Sequence, residues 1–118
     1  MAIRITSLQA GQRAEQAASQ YLVRQGYQIV ARNWRTRWCE IDLIARQDNR
    51  LTFVEVKYRS LGRQGQGLDY ITPAKIKRMR RGAQMWVHRY GWAGDYGLGA
   101  IGLFGADYTV DEFVADII

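Results

Sequence analysis

The chain has 118 residues, 17 of them Lys or Arg and 11 Asp or Glu, for a formal net charge of +6. That length supports one core and one domain spanning 1–118. A hydrophobic share of 47% describes a globular protein, and no apolar run approaches the roughly 20 residues a membrane-spanning helix needs. One cysteine, Cys39, and one histidine, His88, exclude an internal disulfide, a cysteine-rich zinc site and a histidine-built metal centre. Any metal then has to be held by carboxylates, which favours a hard cation, magnesium or manganese. The opening stretch MAIRITSLQAGQRAEQ has no apolar signal region, and the expectation from this is a cytoplasmic protein.

From Gln9 to Gln25, Ala14, Ala17, Ala18, Tyr21 and Leu22 recur at helical spacing and Gly26 supplies a stop, predicting a first helix. Three strands follow at Tyr27–Trp34, Trp38–Arg46 and Leu51–Arg59, broken by RNWRTR and QDNR, most simply as an antiparallel meander. The stretch SLGRQGQGLDY, with Gly62, Gly65 and Gly67, predicts a mobile surface connection. Thr72 and Pro73 then cap and open a second helix, in which Ile76, Met79, Ala83, Trp86, Val87 and Tyr90 make one apolar stripe before Gly91. YGLGAIGLFG reads as a strand whose glycines suggest close backbone approach, and VDEFVADII as a strand or a short helix.

Charge is unevenly placed. Lys75, Lys77, Arg78, Arg80 and Arg81 form one run, whereas the chain beyond Arg89 carries five acids and no base. Such a run is the footprint of a polyanion partner such as nucleic acid, although a solvated helix face produces the same pattern. Arg32, Arg35 and Arg37 alternate with Trp34 and Trp38, residues that either extend a basic surface and stack on unpaired bases or belong to the core.

The second and third strands carry Glu40, Asp42, Glu55 and Lys57 among core-like residues. A tight turn at Asp48 and Asn49 pairs Asp42 with Glu55 and Glu40 with Lys57, putting all four on one face and Ile41, Leu43, Val54 and Val56 on the other. Opposed carboxylates repel unless something positive sits between them. A divalent cation answers that need, and so does Lys57 as the cross-strand partner of Glu40. In the first helix, Glu15 points within about 20° of Leu22 and about 60° of Ala18, at the border of the buried face. Packed by the hairpin, it becomes a third carboxylate at the same place. Such a cluster, with a lysine, suits phosphodiester hydrolysis.

The segments GQRAEQAASQYLVRQGYQIVARNWR, EIDLIA and FVEVKYRS, followed by the Lys75 helix, resemble the YraN family of small bacterial proteins, within the restriction-endonuclease-like PD-(D/E)xK superfamily. The resemblance implies an α/β fold, a mixed sheet flanked by helices in the order α-β-β-β-α-β. It also implies a magnesium- or manganese-dependent endonuclease acting on DNA, with Asp42, Glu55 and Glu15 as metal ligands and Lys57 completing the catalytic set. Arg59, Lys75, Arg78 and Arg81 are then the phosphate contacts. The Asp42 to Glu55 interval is similar to that of archaeal Holliday junction resolvases, which implies branched DNA and a homodimer. Two features depart from the family pattern: Cys39 stands where glycine is usual, and Gly97 and Gly99 stand where an arginine and an aspartate are usual. These departures leave open a non-catalytic nucleic-acid-binding protein that keeps the nuclease fold, and, from another class, an interaction domain for an acidic protein.

Overall fold

The structure, a computed structural model, describes residues 6–60 and 70–117. The glycine-rich stretch containing Gly62, Gly65 and Gly67 lies outside the described residues. The elements are α1 (Ser7–Arg24), β1 (Gln28–Arg35), β2 (Glu40–Gln47), β3 (Arg50–Arg59), α2 (Pro73–Tyr90), β4 (Asp95–Phe104) and β5 (Thr109–Val114). They form one five-stranded sheet in the order β1-β2-β3-β4-β5. All neighbours are antiparallel except β3 and β4, which run parallel because α2 carries the chain back across the sheet. The expected mixed α/β fold is therefore present, and VDEFV resolves as the added edge strand β5.

Each helix is built by its ends and its stripe. Thr6 and Gln9 cap α1 reciprocally, the Gln9 amide donating to Thr6 Oγ1 at 3.1 Å and the Thr6 amide to Gln9 Oε1 at 3.0 Å. Ala14, Ala18 and Leu22 are buried, and the two alanines let the helix lie close on the sheet. In α2, Thr72 Oγ1 accepts the Lys75 amide at 3.1 Å, Pro73 opens the first turn, and Gly91 ends the helix at φ 66. Met79, Ala83 and Trp86 are buried as the stripe predicted, with Ile76 and Val87 partly covered. Tyr90 departs from the stripe: it is 54% exposed, its ring tilted against Trp86 at the helix end.

The helices cover opposite faces. Under α1 lie Leu43, Val54, Ile101 and Leu103, with Leu22 from the helix; under α2 lie Ile41, Ile44, Leu51, Phe53 and Leu98, with Trp86 edge-on to Phe53 at 5.9 Å. Gly82 permits the second contact, since a Cβ there would stand 3.1 Å from Ile41 Cδ1. This seating fixes the first turns of α2, with Lys75 and Arg78, beside the end of β2 that holds Glu40 and Asp42.

Candidate active site

The hairpin β2–β3 closes on Asp48 and Asn49 as predicted, and its register runs from Gln47↔Arg50 to Leu43↔Val54. There the ladder stops. Instead of meeting Glu55 in a regular pair, Asp42 turns its carboxylate to accept the Val56 amide at 2.8 Å. The same point breaks the side-chain alternation of β2, because Ile41 packs under α2 whereas Leu43 packs under α1. On β1, Asn33 stands between the pairs Arg32↔Leu43 and Trp34↔Ile41 and has φ 49, the left-handed conformation that asparagine tolerates. The expectation that Ile41 shares a face with Leu43, Val54 and Val56 is thus corrected: an irregularity at Asn33 and Asp42 interrupts the two-residue period.

Asp42 stands where two cavities meet. One, of about 420 Å³, is lined by Asp42, Glu55, Glu40, Lys75, Arg78, Arg35, Trp38, Cys39 and others; the second, of about 510 Å³, by Asp42, Glu15, Lys57, Tyr58 and the first turns of α1. The structure therefore gathers the other three core candidates, Glu15, Glu55 and Lys57, around Asp42, but on two sides of it. Glu55 faces Lys75 and Arg78, and Lys57 and Glu15 face the other opening. Glu15 is half-buried at the border of α1, as its helical angle predicts, and accepts a 2.7 Å hydrogen bond from Asn33 Nδ2.

The electrostatics follow from that crowding. Burial, then the charge of Glu55, raise the Asp42 carboxyl to about 7, with Glu15 and Glu40 adding to the effect against the Val56 amide. Burial likewise raises Glu15, opposed by its Asn33 hydrogen bond. Glu55 is the compensated acid: Lys75 Nζ meets its Oε2 at 2.7 Å, and both side chains are largely shielded from solvent.

The DNA-contact candidates separate accordingly. Lys75 is turned into the cavity on Glu55, so it serves the acidic cluster rather than an outer phosphate surface. Arg78 lines the cavity and is exposed, and Arg81 is exposed on α2. Arg59 lies over the Tyr70 ring at 5.3 Å. The expected Glu40–Lys57 pair is replaced by Arg35–Glu40 at 3.2 Å, because Glu40 remains paired with β1 after β2 leaves β3. Lys57 is exposed.

Three features were not singled out as site residues from the sequence: Asn33, Thr36 and Met79. Asn33 holds Glu15; the signal for it was an asparagine in a break between strands, which favours the left-handed conformation. Cys39 lies 3.6 Å from Met85 Sδ and lines the cavity wall. Gly97 and Gly99 sit away from Asp42 on β4. Arg50, bridging Asp95 and Asp116, fills the space over Gly97, and Val114 O lies 2.9 Å from where a Gly99 Cβ would be.

The donor chemistry suits a hard cation: three carboxylates, Glu40, Asp42 and Glu55, line the same cavity, Glu40 being paired with Arg35, and no soft ligand is needed. Among the described residues no three histidine, cysteine, aspartate or glutamate side chains are placed to hold a metal ion together. Magnesium fits this sparse set, since it keeps several waters and is commonly bound through one or two carboxylates plus substrate phosphate. Among the described residues no helix is long and apolar enough to cross a membrane.

Comparison with known sequences covers this whole region. Residues 14–105, from α1 to the end of β4, match the model of the family described as Uncharacterised protein family UPF0102. The chain is 46% identical over 81 residues to a UPF0102 protein of Leifsonia xyli subsp. xyli, covering 69% of each chain. It is 45% identical over 83 residues to one of Nitrosococcus oceani, covering 70% of this chain and 67% of the relative. With one of Symbiobacterium thermophilum it shares 45% over 85 residues, 72% of each chain. The matched span holds Glu15, Asp42, Glu55 and Lys57 together with the helix that bears Lys75 and Arg78, and by these matches the chain belongs to the UPF0102 (YraN) family.

Proposed function

We propose that this protein is a metal-dependent endodeoxyribonuclease of the PD-(D/E)xK type, hydrolysing phosphodiester bonds at the cavity shared by Asp42 and Glu55. The observation that carries the reading is the convergence at Asp42, which lines one cavity with Glu55 under α2 and a second with Glu15 and Lys57. A cleft that gathers carboxylates under a basic helix is suited to a cation and an anionic substrate arriving together.

Asp42 and Glu55 are the residues that would hold magnesium or manganese, with Glu15 positioned behind Asp42 by Asn33. When bound, the ion supplies activation of the attacking water and neutralises charge on the transferring phosphate. The chain's own residues do the rest. The Val56 amide fixes one oxygen of Asp42, so the carboxylate cannot rotate freely. Lys75 holds Glu55 from the side of α2, Lys57 offers an ammonium to the water or the phosphate from the second opening, and Arg78 and Arg81 contact the flanking backbone.

A second reading is favoured by Lys75 itself. Its ammonium already occupies Glu55 as a built-in cation, the arrangement expected of a nucleic-acid-binding protein that keeps the fold without the chemistry. Cleavage of branched, flapped and single-stranded DNA with magnesium or manganese separates the two, comparing the parent with Asp42→Ala and Lys57→Ala. Cleavage abolished by both substitutions supports the nuclease. Salt-sensitive DNA binding without any such cleavage selects the binding module.

A further inference from the structure

Trp38 is 67% exposed, at the tip of the β1–β2 turn and on the rim of the Asp42–Glu55 cavity. Single exposed apolar side chains are ordinary on protein surfaces. This one differs in how it is held. Thr36 Oγ1 accepts the amides of both Trp38 and Cys39 at 3.1 Å, and the Thr36 amide donates to Cys39 O at 2.8 Å, so three hydrogen bonds fix the turn's backbone. Arg35–Glu40 closes the hairpin beneath it. The indole thus stands on a rigid base, and the Arg37 guanidinium lies 5.5 Å from its ring centroid.

We infer that Trp38 is a stacking platform for an unpaired nucleobase, which directs single-stranded or flapped nucleic acid, rather than fully paired duplex, into the cavity. The inference rests on the reading of this cavity as a nucleic-acid site and names its substrate class. Charge complementarity selects the occupant. Arg37 covers one face of the ring, leaving the other for a base, and Arg37 and the cavity-lining Arg78 are exposed cations that suit the flanking phosphates. Aromatic stacking requires a base lifted out of the duplex, because paired bases have both faces covered by their neighbours. A rigid turn keeps the entropy lost on binding small. A four-way junction with every base paired offers this ring nothing to stack on.

The test is fluorescence anisotropy of the full chain with a short labelled oligothymidine and with a blunt duplex of the same length. The parent is compared with Trp38→Ala and Trp38→Phe, each checked for an unchanged melting curve. Trp38→Ala is expected to weaken oligothymidine binding about tenfold and duplex binding less than about twofold, with Trp38→Phe recovering most of the loss. Equal losses on both DNAs, or no loss on either, overturn the platform. A parent that binds neither DNA overturns the platform and the site reading together. Selective loss on oligothymidine without Asp42-dependent cleavage overturns the nuclease reading alone and leaves the platform standing.

Discussion

The carboxylate of Asp42 accepts the backbone amide of Val56 at 2.8 Å, where continued β2–β3 pairing would have supplied a carbonyl oxygen. The substitution of a side chain for a ladder partner lets the strands part without orphaning an amide. It also opens the cleft in which the acids meet.

This arrangement sets a pH dependence. Asp42 has a native carboxyl raised to about 7 from an ordinary 3.8, so the folded state holds a proton that the unfolded chain has released. Its stabilising contribution is complete below the unfolded value and is lost as pH rises through the folded one. Stability of the metal-free protein should fall between about pH 4 and about pH 8 by a few kcal/mol at most. Asp42→Asn keeps an acceptor for Val56 and has no charge to bury. Its urea midpoint should exceed the parent's near pH 8 and vary little with pH; a parent curve equally flat would contradict the assignment.

Lys75→Met tests the pair at the cavity wall. With the ammonium gone, Glu55 is left without its partner in a shielded site, and a loss of about 1–3 kcal/mol in stability is expected. Added magnesium should then raise the melting temperature of the variant more than that of the parent, because the ion replaces a lost positive charge. An unchanged magnesium response in Lys75→Met would separate Glu55 from cation binding.

Arg78→Ala and Arg81→Ala address the basic helix. Each phosphate contact removed should lower the slope of log affinity against log salt by about one, with little change in which DNA is preferred. A salt titration of DNA binding measures this directly. Identical slopes in parent and variants would reassign the run to a solvated face.

Gly99→Ala tests the glycines of β4. The added Cβ would lie 2.7 Å from Thr52 Cγ2 and 2.9 Å from Val114 O, a collision with backbone that cannot be relieved by rotation. A loss of about 1–3 kcal/mol is expected in equilibrium unfolding. DNA binding near Asp42 should be unaffected, since the added Cβ meets Thr52 on β3 and Val114 on β5, neither of which lines the Asp42 cavities. A stability equal to the parent's would contradict the close approach.

Much of this was legible in the linear chain because the relevant signals are local. Thr72-Pro73 and Gly91 bound α2 by cap chemistry alone, and Asp48-Asn49 fixed the hairpin register as far as Leu43 and Val54. Glu15 was placed at the edge of the buried face by helical geometry, and it is there. The register failed one residue beyond Leu43. Pattern rules assume unbroken alternation, and nothing in EIDLIA states that Asp42 would take an amide from β3 and turn Ile41 to the other face.

The sequence by itself determined the elements through β4, their order, the sparse ligand chemistry and the candidate site residues, while leaving β5 open, because helix periodicity, caps, turns and composition act over a few residues. Only the tertiary structure decided which of those residues face one another. The splayed strands split the acids between two cavities, α2 delivered Lys75 to Glu55, β1 kept Glu40 for Arg35, and the Thr36 turn held Trp38 in solvent. Those choices depend on contacts between residues distant in the chain, where packing and burial of charge outweigh local preference.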